Sequence, residues 1–433
     1  MSLLLGAALL PRAAHGMRPQ EENPPARQTP ARRSEAKTSW TSSIVKTASD
    51  NRSGEDLGVV QFGAANFTAD EASKSATINV ARMGDASGAV SVRLITLDDP
   101  SAVPCNASTG TAYARCDYAT TVTRIEFAPG ETQRSVSIPL VDDAHAEGDE
   151  TVGLFLDFPF GAFVGEQDRA TLTISANPAR ASNPIDATPF FVRQQYLDFL
   201  SREPEAEEPW SNVLNLCSDV NNNPECDRPT VSSAFYRSPE FQLKGFYIFR
   251  FYTITFGGLP TYAEITRDMA SVTGATPQEL FQKKAQFAEG WPENGRAAEL
   301  FRQMFAFRSR GDIALYLMTK HYNLTQITTP DPADPDGTRK VVLTREELAD
   351  ALHYGRLSVG QVVRAIADSD EVAAAEYNRA FVAMQYYGYL RRDPEPEGFN
   401  NWLNYLKANP SDFRTMVKGF ANSVEYRLRF GQP

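Results

Sequence analysis

The amino-acid sequence predicts an all-β sandwich followed by an all-α region, and three observations predict it. Residues 58–175 carry short runs of apolar and polar side chains in period-two alternation, separated by turn residues. Beyond residue 188, aromatic and aliphatic side chains recur at helical spacing. Between the two lies a linker rich in Pro, Asn and Ser, residues 177–188, where one texture gives way to the other. With 433 residues and 42% hydrophobic content, the chain is long and apolar enough for two or three cored domains.

Residues 1–16 hold an apolar run ending in small residues. A run of roughly ten residues is too short to span a bilayer but suits the core of a secretory signal. It lacks a basic flank, so it reads as a truncated signal segment. Residues 17–55, rich in Pro, Arg, Glu, Ser and Thr, read as a disordered leader. Seven strands are then expected at 59–62, 76–80, 90–97, 122–127, 136–141, 152–156 and 170–174. In the fifth, Val136, Ile138 and Leu140 share one face while Ser135 and Ser137 take the other, as a half-buried strand requires. Seven such strands imply an immunoglobulin-like sandwich over residues 56–178.

The helical part divides into 186–325 and 340–433, with a polar loop at 329–339 between them. It contains an internal repeat. Phe191-Val-Arg-Gln-Gln-Tyr196-Leu-Asp-Phe-Leu200-Ser-Arg202-Glu-Pro204-Glu205 matches Phe381-Val-Ala-Met-Gln-Tyr386-Tyr-Gly-Tyr-Leu390-Arg-Arg392-Asp-Pro394-Glu395. A tryptophan follows each, Trp210 and Trp402, and the Ser238 to Phe241 run is echoed by Ser423 to Tyr426. Each copy reads as an aromatic helix, a Pro stop, a helix around Trp and a Ser-capped helix.

Four cysteines form two close pairs, Cys105 with Cys116 and Cys217 with Cys226. An even count and local pairing favour two disulfides and an oxidising, extracytoplasmic compartment: secreted, periplasmic or cell-surface. Zinc is the alternative, but neither pair has CxxC spacing and no histidine sits beside either. A net charge of −11 argues against nucleic acid as a partner. No later segment approaches membrane-spanning length.

The chemistry-bearing feature is a set of acidic residues at strand ends. Asp70 and Glu71 precede the second expected strand, Asp117 follows the first cysteine loop, and Asp142, Asp143, Glu147, Asp149 and Glu150 lie between two strands. Alternate junctions of a sandwich emerge at one end, so these loops converge there. Packed carboxylates repel one another, and a hard divalent cation with oxygen ligands relieves that repulsion. Calcium accepts irregular loop geometry, whereas magnesium demands a stricter octahedron. The competing reading is a solvated acidic loop.

The run Ile138-Pro-Leu-Val141-Asp142-Asp143-Ala-His-Ala-Glu147-Gly-Asp-Glu150-Thr-Val152 resembles the signature of Calx-β domains. So do residues 72–80 after Glu71, Asp117-Tyr118, and Phe127-Ala-Pro-Gly130-Glu131-Thr132. The resemblance spans about 58–176 and implies calcium ligands at Glu71, Asp117, Asp142, Asp143, Glu147 and Glu150, with a backbone carbonyl at His145. Members that hold several ions tightly carry an acidic run after the last strand. Here residues 175–179 carry none, which implies fewer ions, weaker binding or a purely structural site. The helical repeat resembles DUF4214, a bacterial domain of unknown function, over roughly 190–260 and 375–430. That resemblance implies nothing catalytic.

Two loops imitate EF-hands and fail. Asp219-Val-Asn221-Asn-Asn223 is followed by Pro224 where glycine is required, with Thr230 at the twelfth position; the loop at 331–337, aligned with Gly337 at the sixth position, has Leu343 at the twelfth. The sequence holds no HExxH, GxSxG or P-loop. The reading is therefore an exported, non-catalytic calcium-binding protein whose helical domains contact an unidentified protein or cell-surface partner. Two alternatives stand beside it: an adhesion or assembly protein with a vestigial calcium site, and a hydrolase with an inter-domain site.

Overall fold

The computed structural model describes residues 57–433, apart from 102, 176–177, 239–240, 273–275, 333 and 335–338. The signal segment and leader expected at 1–55 lie outside the described residues. Two sheets face each other over the sandwich core. One has the order β6-β3-β1-β8, with β1 Val59–Phe62, β3 Ser75–Met83, β6 Gln133–Pro139 and β8 Phe163–Val164. The other has the order β2-β9-β7-β4-β5, with β2 Asn66–Asp70, β4 Val90–Leu97, β5 Val122–Phe127, β7 Glu150–Phe160 and β9 Arg169–Ser175. Alternation drives the packing: Ala76, Ile78 and Val80 of β3 are buried, and they meet Val92, Leu94, Leu154 and Leu172 from the opposite sheet.

The sandwich and the helical region hold as expected, with three additions. β2 and the two-residue β8 raise the sandwich strands to nine among the described residues, where seven were expected. Each lies at a sheet edge and pairs in parallel, β2 with β9 and β8 with β1. β2 buries no residue fully, so its sequence carries little apolar signal. The region expected to be all-α also contains an antiparallel pair, β10 Gln326–Pro330 against β11 Lys340–Thr344, and the first two residues of the loop expected at 329–339 belong to β10.

One apolar cluster runs through the helical part from Ile185 to Phe430. Both repeat copies contribute, and their ring contacts duplicate each other. Tyr196 meets Phe235 edge-on at 4.9 Å and Tyr386 meets Phe420 at 4.9 Å. Trp210 lies 6.2 Å from Phe235, and Trp402 lies 5.9 Å from Phe420. Phe199 meets Phe241 at 5.9 Å, and Tyr389 meets Tyr426 at 4.8 Å. Ser201 and Arg391, equivalent in the repeat, both end their helices in the left-handed conformation at φ 54°. Ser238 and Ser423 accept the amide N–H three residues on, from Phe241 and Tyr426.

The copies meet through Phe199 and Tyr389, 5.3 Å apart. Gly388 stands beside this contact, and a Cβ there would come within 1.5 Å of the Phe199 ring. That ring is 1% exposed and has nowhere to go. Gly388→Ala is therefore expected to cost about 3 kcal/mol, read as a lowered urea midpoint at unchanged slope.

Candidate metal centre

Each acidic residue is positioned by a specific piece of backbone. Glu71 opens a single tight helical turn, Glu71–Ser73, between β2 and β3. The Asp70 side chain caps that turn by accepting from Ala72 N at 2.8 Å, and Lys74 closes it at φ 62°. Asp117 ends a turn begun inside the Cys105–Cys116 disulfide loop, where both Cys116 N and Asp117 N donate to the Tyr113 carbonyl at 2.9 Å. The Val141 amide then donates to Asp117 O at 2.9 Å, joining that turn to the segment carrying Asp142 and Asp143. Glu150 is the first residue of β7 and pairs with Ile174 of β9. The ligand loops therefore meet at the end of the sandwich where β3 and β7 begin.

Carboxylate oxygens of Asp117, Glu147 and Glu150 all lie within 4.8 Å of one another. Glu71 joins them in lining a small cavity of about 10 Å³, closed by Gly148 and Ile174. Glu71 Oε1 also accepts from Asp143 N at 2.9 Å. Asp143 turns one carboxylate oxygen back to the His145 amide at 2.7 Å. Asp142 goes elsewhere: its carboxylate is held by the Arg180 guanidinium at 2.6 Å, and Arg180 also donates to the Asp142 carbonyl at 2.7 Å.

The electrostatics are those of an under-compensated anionic site. Burial, reinforced by the charge on Glu150, holds the Asp117 carboxyl well above the usual carboxylate range. Burial, with Asp143, Glu150 and Glu71 around it, pushes Glu147 up to about 9. Burial likewise lifts Asp143 to about 7, even though the His145 N–H and the Arg180 charge pull it back. Burial also raises Glu150.

The donor set fits a divalent cation. Asp117 is 4% exposed; its Oδ2 accepts from Tyr113 N at 2.5 Å, while its Oδ1 is buried with no hydrogen-bond partner. Asp143 Oδ2 is equally buried and unpartnered. A buried oxygen left without a partner costs about 1–3 kcal/mol, so each needs an explanation. One calcium ion, with oxygen bonds of about 2.4 Å, spans two opposite ligands about 4.8 Å apart, and the cavity has room for about one water-sized body.

Of the six expected ligands, the structure brings together Asp117, Glu147, Glu150 and Glu71, sets Asp143 against Glu71, and couples Asp142 to Arg180. Arg180 was not legible as part of this site. The available signal was a lone arginine in the linker, five residues beyond the last strand of the sandwich. Both disulfides are formed, Cys105–Cys116 with S–S 2.05 Å and Cys217–Cys226 with S–S 2.03 Å.

Residues 54–177 match the Calx-beta domain model, and residues 363–430 match the domain of unknown function DUF4214. The chain is 29% identical over 157 residues to human FRAS1-related extracellular matrix protein 2, covering 34% of this chain and 5% of that protein. It is 30% identical over 125 residues to extracellular matrix protein 3 of the sea urchin Lytechinus variegatus, covering 28% of this chain and 4% of that one. It thus spans about a twentieth of the length of these relatives. The apo-form Calx CBD1 domain matches at 26% identity and TM-score 0.24, covering 28% of this chain and 98% of that structure. The repeat copy at 188–241 lies outside the DUF4214 match, although its ring contacts duplicate those inside it.

Proposed function

For a chain that carries a Calx-β domain followed by a DUF4214 domain, we propose an extracellular, non-catalytic structural or interaction protein with one calcium ion. Asp117, Glu147 and Glu150 hold the ion, Glu71 and Asp143 complete the site, and the helical region supplies contacts to a partner. The observation that carries this reading is the buried, unpartnered Asp117 Oδ1 among converging carboxylates. Two disulfides and the matrix relatives support the location. Among the described residues no helix is long and apolar enough to cross a membrane. When bound, calcium supplies charge neutralisation and a tie between loops.

Titration calorimetry of the full chain tests the proposal. One site is expected, calcium is expected to bind more tightly than magnesium, and Asp117→Asn is expected to abolish the heat. A second reading, assembly through the helical surfaces with a vestigial site, draws on Arg180, which already neutralises Asp142 without a metal. Absence of calcium heat in the wild-type chain selects that reading.

A further inference from the structure

Resting on the calcium reading, we infer that the C-terminal segment 428–431 of the helical region is a positioning element of the metal loop. Calcium binding and the seating of the helical region on the sandwich are then one linked equilibrium. The described residues from 57 to 433 fall within one compact unit, so the loop and the tail belong to one body. Three consecutive amides of the loop divide between the site and the tail. Asp143 N donates to Glu71 Oε1 at 2.9 Å, Ala144 N to the Phe430 carbonyl at 2.9 Å, and His145 N to Asp143 Oδ1 at 2.7 Å. The peptide that points at the tail therefore lies between two that point into the metal site. It cannot shift without moving both.

Further contacts clamp the same loop. His145 Nε2 lies 2.9 Å from the Leu428 carbonyl, an oxygen that only accepts, so Nε2 carries the proton. On the far side, Arg180 N donates to Ala144 O at 3.1 Å while its guanidinium grips Asp142. Asn183 Nδ2 donates to Arg427 O at 3.0 Å and Gln432 O at 2.9 Å, fastening the linker to the tail. Phe430 anchors the tail: it is fully buried and packs edge-on against Phe190 at 5.3 Å. Val141 and Ala119 of the sandwich are counted in the helical apolar cluster, so the junction is packed as well as hydrogen-bonded.

A cation that draws Glu147, Glu150 and Asp117 together orders residues 142–149. Residues 143–145 in turn hold the tail. Thermodynamic reciprocity requires the converse: loosening the tail weakens the ion.

The test uses the full chain. In wild type, millimolar calcium is expected to slow hydrogen exchange at Ala144 and across 424–431 together, and Asp117→Asn is expected to show neither change. The double variant His145→Ala, Asn183→Ala removes tail contacts and leaves every proposed ligand carboxylate, and the backbone carbonyl at 145, in place. It is expected to bind one calcium about 5- to 30-fold more weakly. Calcium protection confined to the sandwich loops, or wild-type affinity in the double variant, overturns this inference and leaves the calcium reading standing. Absence of calcium binding in wild type overturns both. The exchange measurement needs no variant, so a double variant that fails to fold still leaves a decisive result.

Discussion

Between pH 5 and pH 9 the calcium-free protein is expected to lose thermal stability as pH rises, and saturating calcium is expected to restore it at the alkaline end. Asp143 and Glu147 have ordinary values of 3.8 and 4.5 but stand at about 7 and about 9 in the folded chain. A carboxyl raised by folding binds its proton more tightly in the native state. Its stabilising contribution is complete below about pH 4 and is lost as pH climbs through the folded values. Calcium reverses the sign of the problem, because it takes the ionised form. Its affinity therefore rises with pH and its binding releases protons. At a hundred times its dissociation constant, the ion adds about 2.7 kcal/mol. Thermal melts at pH 5, 7 and 9, with calcium and with chelator, measure this directly. Glu147→Gln should flatten the calcium-free slope. A calcium-free stability that rises across this window contradicts the site as described.

The second large effect is expected at the junction. Arg429 is 1% exposed and places its guanidinium on Asp198 at 2.9 and 3.1 Å, on Arg115 O at 3.0 Å and on Tyr389 O at 3.1 Å. It therefore joins both repeat copies to the turn that leads into Asp117. Arg429→Met leaves Asp198, whose side chain is fully buried, with Arg391 at 3.3 Å as its remaining cation. Breaking a buried pair from one side costs about 3–5 kcal/mol. Urea denaturation should register that loss. Replacing Asp198 by Leu and Arg391 by Met in the same chain should return a large part of it, because only removing all three charges leaves no unpaired buried ion. Equal instability in the single and triple variants would locate the effect in lost packing around Arg429.

These two sites differ in how far the sequence disclosed them. The carboxylates were legible because several acids between two strands are unusual, and because Asp142 to Glu150 keep a recognisable spacing. The seven longer strands were legible through alternation, and the repeat through aligned aromatics. β2 was not, since Asn66–Asp70 buries nothing fully and pairs with a strand about a hundred residues away. The partners of Asp198 were equally hidden. A charged residue in a helix defaults to solvent, and neither Arg391 nor Arg429 lies near Asp198 in sequence. Arg180 became meaningful only when the backbone turned it towards Asp142.

The parallel pairing of β2 with β9 also carries a consequence in time. Glu71 follows directly on β2, yet β2 is held in its sheet by residues 171–175. A chain made from its N-terminus has produced Glu71, Asp117, Asp143, Glu147 and Glu150 before the strand that fixes the first of them exists. The strand pairings that fix Glu71 and Glu150 against β9 thus form only when the last strand of the sandwich arrives. An ion captured there marks a finished domain, and a truncated or stalled chain carries the same carboxylates without the geometry to hold it.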